Sequence, residues 1–350
     1  MSVVAKQLQA LMPQAEGNPL SMVGIARQLF GQNLEDEALA LAERALALSQ
    51  PGSEAYILAR ELLSSGVAPW HFIIVRDRAR NQAYEAALRR AIFPGCKVLE
   101  IGTGTGLLAM MAARAGAASV VTCEMKPAVA RTASEIIGAN GLADRIKVIT
   151  GHSSSLTAAD LGGKADILVS EIVSNDLLGE GALPAHAHAL AELLKPDAAV
   201  IPPRGCVRIA LAELDGATAN LMDEAEGFDL SRFNRLAPTF REVRVGSDTL
   251  RLRSAPADAF AFDFSRPSLQ HGRNSIALQA TGGVVSGVIQ WIRLDFEGAA
   301  SYENQPGPEA RSCWSSMFWP FERTVVTAPG EVLKVSGSHT VDRVRFWLDR

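Results

Sequence analysis

The segment from 98 to 107 constrains the fold and the ligand of this chain more than any other, and it reads Val-Leu-Glu-Ile-Gly-Thr-Gly-Thr-Gly-Leu. Its glycines are Gly102, Gly104 and Gly106. Because glycine lacks a Cβ, such a turn between a strand and a helix lets the backbone pass close to a ligand. One acid, Glu100, precedes the glycines, and another, Glu124, follows 24 residues after the first. We interpret this combination as a site for a nucleotide-like ligand that has a ribose and a cationic end.

A dinucleotide-binding enzyme is the obvious alternative, and its fingerprint is Gly-x-Gly-x-x-Gly. Here the third glycine comes one residue early, and Leu107 occupies the position where it would fall. Glu100 would also repel a pyrophosphate, whereas it would not repel a sulfonium amino acid with its ammonium group. The segment therefore resembles the cofactor motif of class I S-adenosylmethionine-dependent methyltransferases. That resemblance implies S-adenosylmethionine as cofactor, S-adenosylhomocysteine as product and no metal. A plain structural turn is the remaining alternative.

Composition narrows the function classes. The chain has 350 residues, of which 48% are hydrophobic, and this is enough for two or three domains. The net charge is −4 and there is no run of Lys and Arg, so we expect no nucleic-acid partner. The four cysteines are scattered, which disfavours zinc and disulfides and fits a reducing cytoplasm. Without a signal peptide or a long apolar stretch, we expect a soluble cytoplasmic protein that contacts no membrane.

Residues 1–66 are predicted to form an α-helical segment. Ala38, Ala42 and Ala45 share one helical face, at a spacing typical of a closely packed helix–helix seam. The segment resembles a tetratricopeptide repeat, which implies a protein partner, although only one clear unit is present. We expect a second, degenerate helix pair over Glu54–Ser65. A helical cap without a partner is the alternative.

The remaining chain divides into two patterns. Over residues 67–205, short apolar strands alternate with helices, which predicts a parallel, doubly wound sheet with its ligand at the carboxyl ends of the strands. Over residues 206–350, alternating polar and apolar runs predict an antiparallel sheet or barrel, with a helical excursion at Gly227–Leu236. The predicted fold class is thus an α/β Rossmann-like domain followed by an antiparallel β-barrel-like domain, with an N-terminal α-helical segment. The predicted strands after residue 205 are Val207–Ala212, Thr249–Arg253, Ala259–Phe264, Ser275–Thr281, Val284–Leu294, Ser316–Phe321 and Glu331–Val335.

Two glutamates stand in a second informative segment, Ser170–Gly181, which reads SEIVSNDLLGEG. It follows an apolar strand, so it begins at the sheet edge where ligands bind. Glu171 and Glu180 are separated by a loop that can fold back and bring both carboxylates together. Two carboxylates in a partly dry cleft favour a cation between them, and a planar guanidinium pairs with each through two hydrogen bonds. Exposed loop acids are the alternative.

This segment resembles the double-glutamate loop of the protein arginine methyltransferase family. Further motifs match in the same order over roughly residues 67–350. Asp77, Arg80 and Tyr84 fit the family's N-terminal segment that folds over the cofactor, and Phe228–Leu236 resembles its dimerisation segment. The resemblance therefore implies methyl transfer to an arginine guanidino group and a homodimer.

The resemblance also assigns cofactor contacts. Arg80 is expected to pair with the methionyl carboxylate, Glu100 to support the glycine turn and reach the ammonium group, and Glu124 to bind the ribose hydroxyls. His71 is expected at the ribose or the sulfonium end, with a packing histidine as the alternative. Ser153 and Ser154 are expected at the adenine edge, where the family often has an acid.

One motif departs from the family. Where the family has a His-Trp pair near the substrate arginine, this chain has Cys313 and Trp314. A cysteine cannot donate a hydrogen bond as histidine does, which puts the rate, the product and the substrate in doubt. Trp314 is expected near the substrate, and the alternative is an aromatic residue of the barrel core.

We therefore expect Glu171 and Glu180 to clamp the guanidinium of an arginine in a protein or peptide, with Glu180 as the stronger base candidate. Asn175 and Asp176 beside them resemble the branch of the family that has a crowded, acidic pocket, and this resemblance implies a single methyl group per arginine. One alternative is a small-molecule methyltransferase on the same scaffold. Another is an inactive helical-repeat adaptor that binds the cofactor.

Overall fold

The computed structural model describes residues 7–8, 10–217, 221–298 and 301–349. The first six residues and residue 9 of the predicted helical segment 1–66 lie outside this range, as does Arg350 at the end of segment 206–350. After a short 3₁₀ turn, Met12–Ala15, the described N-terminal helices are α1 (Pro19–Phe30), α2 (Glu35–Leu48) and α3 (Glu54–Ser64). Asn18 and Ser53 begin α1 and α3, because their side chains accept hydrogen bonds from backbone N–H groups of the first turn.

The three helices share a small hydrophobic core of their own. Ala38, Ala42 and Ala45 are all fully buried in it, which confirms the predicted seam. The prediction of a second helix pair over Glu54–Ser65 is wrong, because the single helix α3 occupies that span.

A five-stranded parallel sheet follows, with the order β3-β2-β1-β4-β5, and confirms the predicted Rossmann-like architecture. Its strands are β1 (Lys97–Ile101), β2 (Ser119–Glu124), β3 (Ile146–Thr150), β4 (Ala165–Ser170) and β5 (Leu194–Ile201). The helices around it are α4 (His71–Ile74), α5 (Arg78–Ala91), α6 (Leu107–Ala115), α7 (Pro127–Ala139) and α8 (Ala182–His188). An ion pair of 3.0 Å between Arg131 of α7 and Glu43 of α2 links this unit to the N-terminal helices. Strand β5 was not predicted, because its first half is polar and exposed.

The rest of the chain builds an eight-stranded antiparallel sheet, also as predicted. Its strands are β6 (Arg204–Leu214), β9 (Arg241–Val243), β10 (Leu250–Leu252), β11 (Ala257–Asp263), β12 (Gly272–Asp295), β13 (Tyr302–Glu303), β14 (Ser316–His339) and β15 (Val344–Leu348). A separate hairpin pairs β7 (Glu224–Ala225) with β8 (Phe228–Asp229).

Two details of the strand predictions are wrong. The runs Ser275–Thr281 and Val284–Leu294 are one strand, β12, because Gly282 and Gly283 take positive φ but stay paired with β14, and the register shifts lie on either side of them. In the same way, Ser316–Phe321 and Glu331–Val335 both belong to β14. The excursion at Gly227–Leu236 is helical only in its second part, as the 3₁₀ turn Ser231–Leu236.

One continuous core joins the two sheets, and Leu168 of β4, Ile292 of β12 and the fully buried Phe264 all belong to it. The loop after β4 is therefore held between the parallel and the antiparallel sheet, and this placement creates the site described next. None of the helices in the described residues is long and apolar enough to cross a lipid bilayer.

Candidate active site

A cavity of about 570 Å³ lies at the carboxyl ends of β1, β2 and β4, which is large enough for a nucleotide-sized ligand. Nine of the predicted site residues line it: His71, Arg80, Glu100, Gly102, Gly104, Glu124, Ser153, Glu171 and Glu180. Three others, Gly106, Ser154 and Trp314, are not among its described lining residues. The structure thus brings the glycine turn, its flanking acids Glu100 and Glu124, and the double-glutamate loop to one cavity.

The glycine turn forms the floor of the cavity. Gly102, Gly104 and Gly106 have φ values of +88°, +52° and +81°, a region that residues with a Cβ rarely adopt. A Cβ on Gly102 would lie only 2.8 Å from the Ile172 side chain, so the turn packs directly against the second acidic motif. Gly106 begins α6 and faces Ile137 of α7, which explains why it supports the turn without lining the cavity.

Glu124 fixes this turn from the end of β2. Its Oε2 accepts a hydrogen bond of 3.1 Å from the Gly104 backbone N–H, and its Oε1 accepts one of 2.9 Å from the Lys126 N–H. Each carboxylate oxygen has two lone pairs, so both can still accept a bond from a ligand hydroxyl.

Glu100 lies fully buried below the turn, and neither of its carboxylate oxygens has a hydrogen-bond partner among the described residues. Burial raises the pKa of this carboxyl to about 8. Such an orphaned pair of acceptors is unusual in a folded protein. A ligand ammonium group would supply hydrogen-bond donors to both oxygens and a positive charge that favours the ionised carboxylate.

Arg80 connects α5 to the double-glutamate loop. Its Nη2 donates to Glu171 Oε2 over 2.9 Å, and the two side chains are only 5% and 6% exposed. The Arg80 Nε and the second oxygen of Glu171, Oε1, are buried and have no partner in the described structure. Each member of the pair therefore keeps one group for a ligand: a donor that suits a carboxylate on Arg80, and an acceptor that suits a cation on Glu171.

The two glutamates share an electronegative environment. Burial raises the pKa of Glu171 to about 8, against the charge of Arg80, and the charge of Glu180 raises it further. Burial, followed by the charges of Glu124 and Asp176, raises the pKa of Glu180 to about 7. Both carboxyls line the same cavity, so a bound cation would favour their ionised forms.

Polar side chains hold the loop between the glutamates. Asp176 Oδ1 accepts hydrogen bonds from the backbone N–H groups of Leu178 and Gly179, and Asn175 Oδ1 accepts one from the Ser315 N–H. Neither Asn175 nor Asp176 is among the described lining residues of the cavity. The single-methyl product that we expected from them therefore stays a prediction.

Residue His186, which sequence reasoning missed, ties the two ends of this loop together. Its ring nitrogens lie 2.9 Å from Ser170 Oγ and 2.7 Å from the Ala182 carbonyl oxygen. Burial lowers the pKa of His186 to about 4, so the ring is neutral: Nδ1–H donates to the carbonyl and Nε2 accepts from the hydroxyl. One of two histidines in a short, alanine-rich helix gave no signal of this role.

The remaining predicted residues lie around the cavity. His71 lines it from α4, stacks on Trp70 at 3.8 Å and bonds through Nδ1 to the Ala68 carbonyl oxygen. Ser153 is buried at the cavity wall, whereas Ser154 is exposed and bonds to His152. Trp314 lies in the core beneath the double-glutamate loop, where its indole N–H donates to the Val173 carbonyl oxygen over 3.1 Å.

Comparison with known proteins finds methyltransferases that are similar to this chain. Residues 83–201 match a family model described as ribosomal protein L11 methyltransferase (PrmA). An arginine N(omega)-methyltransferase of Streptomyces achromogenes subsp. streptozoticus is 39% identical over 310 residues, which are 86% of each chain. Protein arginine N-methyltransferase 7 of Oryza sativa subsp. indica is 34% identical over 79% of this chain, which spans only 44% of that longer protein.

Solved structures share the fold. The Trypanosoma brucei PRMT1 enzyme–prozyme heterotetrameric complex with AdoHcy matches with a TM-score of 0.70 and 22% identity, over 82% of this chain and 100% of that chain. Protein arginine methyltransferase 10 of Arabidopsis thaliana matches with a TM-score of 0.64 and 20% identity, over 79% and 88% of the two chains.

Proposed function

Since this chain belongs to the protein arginine methyltransferase family and is an S-adenosylmethionine-dependent methyltransferase, we propose that Glu171 and Glu180 clamp an arginine guanidinium for methyl transfer. The observation that carries the proposal is the pair of carboxyls that line one cavity: Glu171, whose side chain is shielded and whose Oε1 has no partner in the described structure, and Glu180, which is more exposed. A guanidinium offers five N–H donors in a planar fork and suits both groups at once.

The lining residues fit the cofactor. When bound, S-adenosylmethionine supplies a methyl group on a sulfonium sulfur, and this sulfur is a good leaving group because it departs as a neutral thioether. Glu100 would hold its ammonium, Arg80 its carboxylate and Glu124 its ribose hydroxyls. His71 would contact the ribose or the sulfonium end. Ser153 and, next to it, Ser154 would lie at the adenine edge. The orphaned atoms of Glu100 and Arg80 support these assignments.

Proton transfer distinguishes the two glutamates. A free guanidinium has a pKa above about 12, so the attacking nitrogen must lose a proton as the new bond forms. Glu171 already bonds to Arg80, and we assign it to orientation of the guanidinium. Glu180, with a pKa of about 7, is the base candidate, since a base works best when its pKa lies near the operating pH. Trp314 supports the loop that carries both.

We propose an arginine in a protein or peptide as the first substrate candidate, as the name of the Oryza relative suggests. Free arginine is the second candidate, because the Streptomyces relative is named for arginine without a protein and matches over 86% of both chains. Free arginine is one form of the small-molecule alternative that the departure at Cys313 leaves open.

Assembly is a further part of the proposal. The arm formed by residues 228–236 exposes Phe228, Phe233 and Leu236, at 70%, 57% and 67% of their surface, and we propose that it mediates a homodimer. We also propose the division into a tetratricopeptide-like segment 1–66 with a protein partner, a cofactor-binding domain 67–205 and a substrate and dimerisation domain 206–350. The cysteines are unbridged, which supports a reducing compartment such as the cytoplasm.

One experiment tests the function and separates the substrates. The purified protein is incubated with methyl-labelled S-adenosylmethionine and either a cell extract or free arginine, and label is followed in protein and in small molecules. Label on arginine guanidino nitrogens in protein supports the first candidate, and labelled methylarginine formed only from the free amino acid supports the second. Tight cofactor binding without transfer to either would favour the inactive adaptor.

A further inference from the structure

A second residue that the sequence did not single out, Tyr302, connects the antiparallel sheet to the catalytic pair. Its hydroxyl lies 2.5 Å from Asp77 Oδ2 and 2.7 Å from Ser312 Oγ, and its ring packs edge-on against Trp314 at 5.4 Å. Tyrosine has one proton to donate, and the carboxylate can only accept. Tyr302 therefore donates to Asp77 and accepts from Ser312.

Asp77 gathers three donors from three parts of the chain: the start of α5, strand β13 and the segment 312–315. Besides the Tyr302 hydroxyl, its Oδ2 accepts from the Cys313 N–H over 3.1 Å, and its Oδ1 accepts from the Arg80 N–H over 3.0 Å. This last bond caps α5, and the side chain of Arg80 then reaches Glu171. A continuous set of contacts thus runs from Tyr302 through Asp77 and Arg80 to Glu171.

The segment 312–315 is anchored to the same place from its other side. Ser312 Oγ accepts from the Trp314 N–H over 3.0 Å, Trp314 donates to Val173, and the Ser315 N–H donates to Asn175. Three chain segments therefore meet at Tyr302: the start of α5, the segment 312–315 and, through that segment, the double-glutamate loop.

We propose that Tyr302 is a positioning residue for methyl transfer, because its hydroxyl on Asp77 fixes Arg80 and Cys313 relative to Glu171. Cys313 brings no side-chain donor of comparable strength to this junction, and Tyr302 supplies one from a different strand. Burial keeps the pKa of the Tyr302 hydroxyl well above its usual range, so its proton is available for donation throughout the working pH range. The inference rests on the proposed function.

Glu171 is the group through which the effect becomes measurable. From α5, it faces the Arg80 and Tyr84 side chains and the capping residue Asp77. It also faces Glu180 of its own loop and the Cys313 thiol of segment 312–315. The charge of Asp77 already raises the pKa of Glu171. The Tyr302 O–H dipole points its positive end at this carboxylate and offsets part of its field, so removing the hydroxyl should raise the pKa of Glu171 further.

The test is Tyr302→Phe in the full chain, with Tyr56→Phe in α3 as the matched control. We expect kcat to fall about tenfold, as for loss of one buried hydrogen bond to a charged group. If activity rises with pH as the two glutamates ionise, this rise (the pH limb) should move to higher pH. Amide hydrogen exchange of segment 312–315 in the ligand-free protein should become faster. Tyr56→Phe should change none of the three.

Two results would overturn the inference: a folded Tyr302→Phe protein with wild-type kcat and pH limb, or a loss of kcat that follows a lower Tm while the pH limb and exchange stay unchanged. If Tyr302→Phe does not fold, Ser312→Ala decides by the same criteria, with an expected loss of about threefold. The wild type separates this outcome from the proposed function. If it methylates no arginine, the function fails, whereas an active wild type with an unaffected variant rejects only the role of Tyr302.

Discussion

Arg80 and Glu171, 91 residues apart in sequence, form an ion pair of 2.9 Å that is almost completely shielded from water. Breaking a buried pair by removing one partner leaves the other charge uncompensated. The pair also joins the two halves of the cavity, since Arg80 faces the predicted cofactor side and Glu171 the predicted substrate side. Cofactor binding and substrate orientation are therefore expected to depend on each other at this contact.

Glu100→Gln should separate stability from cofactor binding. Because the folded-state pKa of about 8 lies above the usual carboxyl value, stability from this group is lost as pH rises toward 8. The glutamine has no charge to bury, so the variant should be more stable than wild type at pH values above 8. Losing the ionic bond to the ammonium should weaken cofactor binding by about 1.5–3 kcal/mol, roughly 10- to 150-fold.

Thermal unfolding of the ligand-free protein and calorimetric titration with S-adenosylhomocysteine measure the two effects. Glu192→Gln, at an exposed position, is the control and should change neither. Unaltered affinity in Glu100→Gln would remove the ammonium contact from the proposal.

Gly102→Ala should damage the glycine turn. The left-handed conformation at φ +88° costs an alanine about 1–2 kcal/mol, and the new Cβ would meet the Ile172 side chain at 2.8 Å. We expect a lower Tm and weaker cofactor binding. The matched control is Gly24→Ala in α1, where nothing lies within 4 Å of the new Cβ, so it should stabilise the protein by about 0.5–1 kcal/mol. Equal effects of the two substitutions on Tm would contradict the role of the turn.

Activity should rise with pH through the range 7 to 8. Glu180 and Glu171, with pKa values of about 7 and about 8, must be ionised to accept a proton and to hold the guanidinium. The expected kcat/KM for arginine, at saturating cofactor, is therefore low at pH 6 and reaches a plateau at alkaline pH. Initial rates across this range provide the measurement. A profile that is flat from pH 6, or that falls with rising pH, would be incompatible with carboxylate bases of raised pKa.

Phe233→Glu should weaken a homodimer if the arm 228–236 is its interface. Burying a Phe side chain contributes about 1.5–3 kcal/mol, so the dissociation constant should rise at least tenfold. Light scattering coupled to size-exclusion chromatography measures the mass, and circular dichroism confirms the fold. Val326→Glu, at another exposed apolar position in β14, is the control and should leave the mass unchanged. A monomeric wild type would reject the interface.

Local patterns of the sequence predicted the two motifs of the site because each motif is contiguous. The glycine turn and Glu100 lie within ten residues, and Glu171 and Glu180 belong to one loop, so spacing and residue type were enough. Both acids of the loop line the cavity that also contains the glycine turn.

Tyr302 and His186 could not be predicted in this way, because their roles arise from packing. The contact between Tyr302 and Asp77 joins residues 225 positions apart, and no local pattern marks it. Likewise, Gly282 and Gly283 carry the same local signal in a turn and in a bulged strand, and only pairing along β14 decides between the two. Strand continuity and supporting contacts are therefore properties of the tertiary structure.

The most direct test of the guanidinium clamp is the turnover of Glu180→Gln with arginine, at saturating cofactor, with S-adenosylhomocysteine affinity measured on the same protein. Glu192→Gln serves as the exposed control. The clamp predicts that kcat falls by about 10²- to 10⁴-fold while cofactor affinity stays near the wild-type value. A wild-type kcat in Glu180→Gln, with the cofactor bound, would contradict it.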